Sequence, residues 1–192
     1  LEIRGAGNIL GREQHGHMMK VGYDMYARLL KESVAELKGE KTKTRIVTDI
    51  SIDIEAYAPD GYIPTQAERM TFYQQLASCK SVEEMSTVNE QLVDVYGVAP
   101  RQVDNLFTVA RLKLLANNAG IARVTIKTGK GELTFATRDD MMNKKVFDAL
   151  SDFGDRATAA SDSYGVQFVS RDFIQKERLI SAIEDFLLKI QP

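Results

Sequence analysis

Polar and apolar positions alternate for eight residues in Asp49-Ile50-Ser51-Ile52-Asp53-Ile54-Glu55-Ala56, the period of a strand with one wet face. Pro59, Asp60-Gly61 and Pro64 end that strand in turns. Before it, from Gln14 to Leu37, apolar residues fall at Val21, Met25, Tyr26, Leu29, Leu30, Val34 and Leu37, the spacing of one helical face, and Gly39 stops the pattern. Lys38, Glu40, Lys41, Lys43 and Arg45 then read as a solvated connector. The pattern therefore predicts a helical N-terminal appendage over 1–38, a linker over 39–45 and a domain over 46–192.

Two S/T-x-x-E capping boxes, Thr65 to Glu68 and Ser81 to Glu84, open the next helices. The second of these helices should stop at Gly97, and a third should begin with Pro100 in its first turn and run to Gly120. Its predicted face is Val103, Leu106, Phe107, Ala110 and Leu114.

Residues 121–153 and 154–186 align without a gap at an offset of 33, with eight identities. The identities are Arg123/Arg156, Thr125/Thr158, Phe135/Phe168, Arg138-Asp139/Arg171-Asp172, Ala149/Ala182 and Asp152-Phe153/Asp185-Phe186. Each copy reads strand, turn (129–131; 162–165), strand, an aspartate N-cap (Asp139; Asp172) and helix. Two ββα units explain this, and so does shared periodicity alone. The fold class expected is α+β, with a helical subregion and a small, mostly antiparallel sheet.

Composition narrows the chemistry. At 192 residues, 44% hydrophobic and 27% charged, the chain suits a soluble globular protein. Cys79 is the lone cysteine, no apolar run reaches membrane length, and no signal segment opens the chain, so a cytoplasmic setting and no membrane partner are expected. A formal net charge of -2 argues against a broad electrostatic grip on nucleic acid.

The opening LEIRGAGNILGREQHGH raises three kinds of site. Gly5, Gly7 and Gly11 miss the dinucleotide spacing by one residue and have no room for a preceding strand; no G-x-x-x-x-G-K-[ST] exists. His15 and His17 supply too few ligands for zinc, so no metal is expected. No G-x-S-x-G occurs, Cys79 has no histidine nearby in sequence, and Asp49, Asp53 and Glu55 belong to the wet side of their strand, so no catalytic residue is assigned. What remains is a donor-rich loop, with Arg12, His15, His17 and Lys20 as possible DNA-backbone contacts.

That opening and the following VGYDMYARLLKESV resemble the end of the translocation motif shared by RecG-type DNA translocases and the transcription-repair coupling factors: R-G-x-G, then G-x-x-Q-x-G, then V-G-[FY]-x-x-Y-x-x-L-L. YIPTQAERMTFYQQLAS resembles the coupling factors' Y-I-P-x-x-x-x-R-x-x-F-Y-x-x-[IL]-A segment, and LVDVYGVAP their L-x-D-R-[FY]-G-x-x-P. RecG resembles only the opening motif.

The resemblance implies that Arg4, Gly5, Gly7, Gly11, Gln14 and Gly16 belong to the motif coupling ATP hydrolysis to DNA movement. It further implies a C-terminal, non-catalytic module of a DNA translocase in nucleotide-excision repair. Such a module packs on the UvrB-like N-terminal part of the same protein, masks the surface that recruits UvrA, and restrains the motor until RNA polymerase is engaged. ATP, magnesium and double-stranded DNA would be bound by the parent motor; this stretch itself takes no cofactor. The acidic stretch Glu83, Glu84, Glu90, Asp94 is a candidate docking face, or else a solvated helix side. A stand-alone DNA-binding module and the tail of a RecG-like helicase are the alternatives.

Overall fold

The computed structural model describes residues 47–160 and 164–192. The predicted appendage and linker therefore lie outside the described residues, and with them the helix expected over 14–37. The first strand, β1 (Asp49–Ile52), is shorter than its eight-residue pattern but keeps the alternation, with Ile50 buried and Asp49 and Ser51 exposed. Pro59 then turns the chain, its carbonyl accepting from the N–H groups of Tyr62 and Ile63 at 2.9 and 3.0 Å.

Helix α1 (Gln66–Ser78) starts at the predicted capping box: the Glu68 N–H donates to Thr65 Oγ1 at 3.2 Å and the Thr65 N–H to Glu68 Oε2 at 3.3 Å. Thr65→Ala should lower stability by about 1 kcal/mol in urea unfolding, because the Glu68 N–H in the first turn loses its acceptor. In α2 (Val82–Tyr96) only half of the second box forms. Ser81 Oγ accepts from the Glu84 N–H at 3.2 Å, but the Glu84 carboxylate turns to the Lys80 N–H at 2.6 Å. Gly97 ends α2 as expected, with φ 82°, where a side chain would be strained.

Pro100 is the N-cap of α3 (Arg101–Asn118) rather than a first-turn residue. The predicted stripe on this helix is too narrow: Val109, Leu112, Leu115 and Ala116 are buried along with Val103, Leu106 and Ala110, while Phe107 and Leu114 are half-buried. The reason is position. Helix α3 is flanked by helices α1 and α2, with Phe107 5.8 Å from Phe72, and by strand β2 (Ile121–Lys127) and the last helix of the domain.

The remaining elements are β3 (Lys130–Phe135), α4 (Arg138–Met141), α5 (Lys144–Phe153), β4 (Ala157–Ala159), β5 (Gly165–Val169) and α6 (Lys176–Lys189). The sheet order is β1-β2-β3-β5-β4, parallel only between β1 and β2, so the described domain is α+β with a mixed, mostly antiparallel sheet as expected. Side chains of one sheet face (Ile50, Val124, Ile126, Leu133, Phe135, Val166, Phe168) join the helices' apolar residues in one core. At its centre Phe153, Phe168 and Phe186 meet edge-to-face, with centroids 5.3 to 5.9 Å apart.

The 33-residue pattern is visible in the architecture, with corrections. Asp139 and Asp172 are not the caps: Thr137 and Ser170, themselves 33 apart, accept from the N–H groups of Asp140 and Asp172. Each opens a short helical turn, α4 in one unit and the 3₁₀ turn Arg171–Ile174 in the other, again 33 apart, before the main helix. The first hairpin turn is tighter than predicted, since Lys130 and Gly131 already belong to β3. Leu133 pairs directly with its counterpart Val166, and Phe153 touches its counterpart Phe186 at 5.7 Å. An approximate two-fold relating the units would produce both pairings. The hairpins differ in one respect: Val124 lies opposite Leu133, but Ala157 lies opposite Phe168, two residues further along than Val166. An even slip keeps every side chain on its own face.

Candidate interaction surface

Helix α2 presents an exposed acidic side. Its buried edge is Met85 and Leu92, and Glu83, Glu84, Glu90 and Asp94 are all exposed. At about 100° per residue, Glu83, Glu90 and Asp94 fall within roughly 40° of one another, while Glu84 is turned onto the next stripe. The segment from Ser81 to Pro100 carries these four carboxylates and no lysine, arginine or histidine. Glu83 and Glu84 sit at the positive end of the helix, and backbone and Ser81 hydrogen bonds hold Glu83 below the usual carboxylate range. Asp94 lies at the negative end of the helix, with no basic residue in the last turn.

The adjoining turn is apolar and rigidly set. Val95 and Val98 are 71% and 90% exposed, beside the half-buried Tyr96. The Tyr62 hydroxyl donates to the Gly97 carbonyl at 2.7 Å, the Tyr62 and Tyr96 rings lie 5.8 Å apart, and the Tyr96 hydroxyl bonds the Glu68 carboxylate. Sequence reasoning picked out the carboxylates but missed the valines. The available signal was Val95, which stands where the coupling factors' pattern has arginine.

Other candidates resolve differently. Arg4, Gly5, Gly7, Gly11, Gln14 and Gly16, with Arg12, His15, His17 and Lys20, all lie outside the described residues. Asp49 pairs with Arg123 at 3.5 Å, and Asp53 faces Lys176 at 3.8 Å, so both serve the wet side and end of β1. Cys79 is half-buried at the end of α1; its Sγ–H donates to the Gln75 carbonyl at 3.3 Å, and burial pushes its thiol up, away from nucleophilic use. An open concavity of about 500 Å³ between α5 and α6 contains Asp152, Arg156, Asp185 and Lys189, but Lys189 pairs with Asp152 at 2.5 Å and Arg156 stacks on Phe153 at 5.2 Å. Among the described residues no group of three or more His, Cys, Asp or Glu converges as a metal site, and no helix is long and apolar enough to cross a membrane.

The described residues form an α+β unit whose helices pack against a mixed, mostly antiparallel sheet. The TRCF domain family matches residues 52–146. A transcription-repair-coupling factor of Bacillus subtilis is 32% identical over 157 residues, covering 80% of this chain and 13% of that protein. One from Myxococcus xanthus is 41% identical over 114 residues, covering 59% of this chain and 10% of that protein. The crystal structure of a C-terminal domain of transcription-repair coupling factor shares the fold, with a TM-score of 0.66 at 22% identity over 78% of this chain and 96% of that one. The chain belongs to the transcription-repair coupling factor family and corresponds to its C-terminal region. It spans only about an eighth of the length of the curated relatives it matches.

Proposed function

We infer that this domain is a non-catalytic regulatory module of an ATP-dependent DNA translocase that couples transcription to nucleotide-excision repair. In this reading it docks on the UvrB-like N-terminal part of its own protein, covers the surface that recruits UvrA, and restrains the motor until RNA polymerase engages. The observation that carries the reading is the exposed carboxylate stripe of α2, Glu83, Glu90 and Asp94, with exposed Val95 and Val98 in the adjoining turn. An acidic face with no basic residue in its own segment, beside an apolar rim, suits a basic protein surface, where charge sets orientation and specificity and apolar contact adds affinity. It is a poor surface for duplex DNA, whose phosphates would be repelled.

The motor contacts follow from the family motif: Arg4 and Gln14 would relay hydrolysis to movement, and Arg12, His15, His17 and Lys20 would touch the DNA backbone of a motor that also binds ATP and magnesium. The deciding measurement is ATP hydrolysis by the full-length protein without RNA polymerase, with and without residues 46–192. The rate should rise on deletion, and Glu90→Lys/Asp94→Lys in the intact protein should raise it in the same direction, releasing a coupling of about 1–3 kcal/mol. An unchanged or lower rate on deletion would end the autoinhibitory reading and leave a scaffold or partner site.

A further inference from the structure

The approximate two-fold exchanges β2 with β4, β3 with β5 and α5 with α6. Each unit's helix lies over the other unit's outer strand, α6 on β2 and α5 on β4. One end of this paired layer is closed. Strand β1 adds to β2 in the sheet, and α3 lies over β1 and β2 and against one flank of α6. That flank is Glu177, Ile180 and Glu184: Arg101 meets Glu177 at 2.7 Å, Arg111 forks onto the half-buried Glu184, and Ile180 is half-buried against the core.

The other end has the same two positions, and no described residue fills either. The outer edge of β4 pairs with no strand. The Ala160 N–H donates to the Gly165 carbonyl at 2.9 Å, so by the alternation of an antiparallel ladder Thr158 also bonds toward β5, and Ala159 turns its N–H and C=O outward. Ala157 turns outward too; its N–H is taken by the Gly154 carbonyl, and its own carbonyl stands on the edge. Beside that edge α5 presents Lys144, Phe147 and Ser151, which stand 33 residues before Glu177, Ile180 and Glu184. All three are exposed, Phe147 at 46%. At about 100° per residue, Phe147 lies roughly 140–160° around α5 from Asp152 and Lys145. Those two residues meet Lys189 and the Gln191 carbonyl, so Phe147 faces away from α6.

We propose that this open end is a self-association surface: β4 pairs antiparallel with β4 of a second copy about a two-fold axis perpendicular to the sheet, while the two α5 helices meet through Phe147. A second copy fits because its own end offers a strand and a helix in the same two layers that β1 and α3 fill at the closed end. The edge is also self-complementary. Ala157-Thr158-Ala159 carries no charge and no proline, the residues that block edge-to-edge pairing. Lys144 and Asp148, 3.4 Å apart on α5, are of opposite sign, and an antiparallel copy sets each lysine toward the other copy's aspartate. A partner bearing one sign of charge would gain from only half of that pair. This surface shares no residue with the acidic face of α2, so neither reading depends on the other.

Sedimentation velocity on the 192-residue chain tests it. The mean mass should climb from one chain toward two with a dissociation constant on the order of 10–100 μM, as suits a small contact. Phe147→Glu and, separately, Ala159→Pro, which removes only an outward N–H, should each weaken the dimer at least about tenfold at unchanged urea midpoint. Val98→Asp, at the exposed turn after α2, should leave it as it is. Should Ala159→Pro fail to fold, the Ala159 amide itself replaces it, and its exchange should slow as the concentration rises. A chain still single at roughly tenfold above that range, or a dimer that survives either substitution or breaks with Val98→Asp, would overturn the surface.

Discussion

Phe186→Ala is expected to cost about 3–5 kcal/mol, read as a lower urea midpoint at unchanged slope. Phe186 is fully buried and meets Phe153 and Phe168 edge-to-face at 5.7 and 5.3 Å, so truncation opens a cavity where the sheet and both repeat helices converge. Against a typical domain stability of about 5–15 kcal/mol, that is about a fifth of the total or more. Phe186→Leu fills most of the volume and should lose far less. Equal losses from the two variants would show that the edge-to-face geometry, rather than the filled space, carries the energy.

The second large effect reverses an ordinary expectation. Glycine weakens a strand interior, so Gly131→Val in β3 would gain from β-propensity if the site were open. It is closed: a Cβ there would stand 2.7 Å from Ile183 Cδ1 and 3.0 Å from Leu179 Cδ1, both on fully buried residues of α6. Valine must displace the Ile183 and Leu179 side chains from their packed positions, at a cost of about 1–3 kcal/mol. Chemical denaturation decides the sign, and Gly61→Ala, at a glycine with open space around it, serves as the reference and should change little.

Much of this domain was legible where the determining physics is local. The Thr65–Glu68 box, the end of α2 at Gly97 and the alternation of β1 each depend on residues within a few positions of one another. The misreadings have equally definite causes. Thr137 and Asp139 are both good caps, and only the position of the first helical turn chooses between them. The Ser81–Glu84 box lost its second half because Lys80 N–H offered the carboxylate a 2.6 Å alternative. The breadth of burial on α3 depends on having neighbours on opposite sides, and the Arg111–Glu184 tie joins residues 73 apart, so neither is written in a window of sequence.

The candidate site divides in the same manner. The carboxylates of α2 were readable as composition, but their shared stripe and the exposure of Val95 and Val98 needed the helix to be placed against α3. Glu184 shows the reverse case. Nothing near it in sequence announces a special carboxylate, yet burial lifts its carboxyl above the ordinary range even with the Arg111 guanidinium opposing the shift.

The slip between the two hairpins carries a rule about heredity. Phe168 points inward with Ala157 opposite it, two places along from the alignment's own partner, and the half-buried Gln167 lies on the other face. Had the strand drifted by one place, the phenylalanine would stand in water and the glutamine in oil. Descendants of this chain can thus lengthen or shorten the pairing of that hairpin only by steps that preserve parity, and an odd change in its register should be absent wherever the aromatic cluster survives.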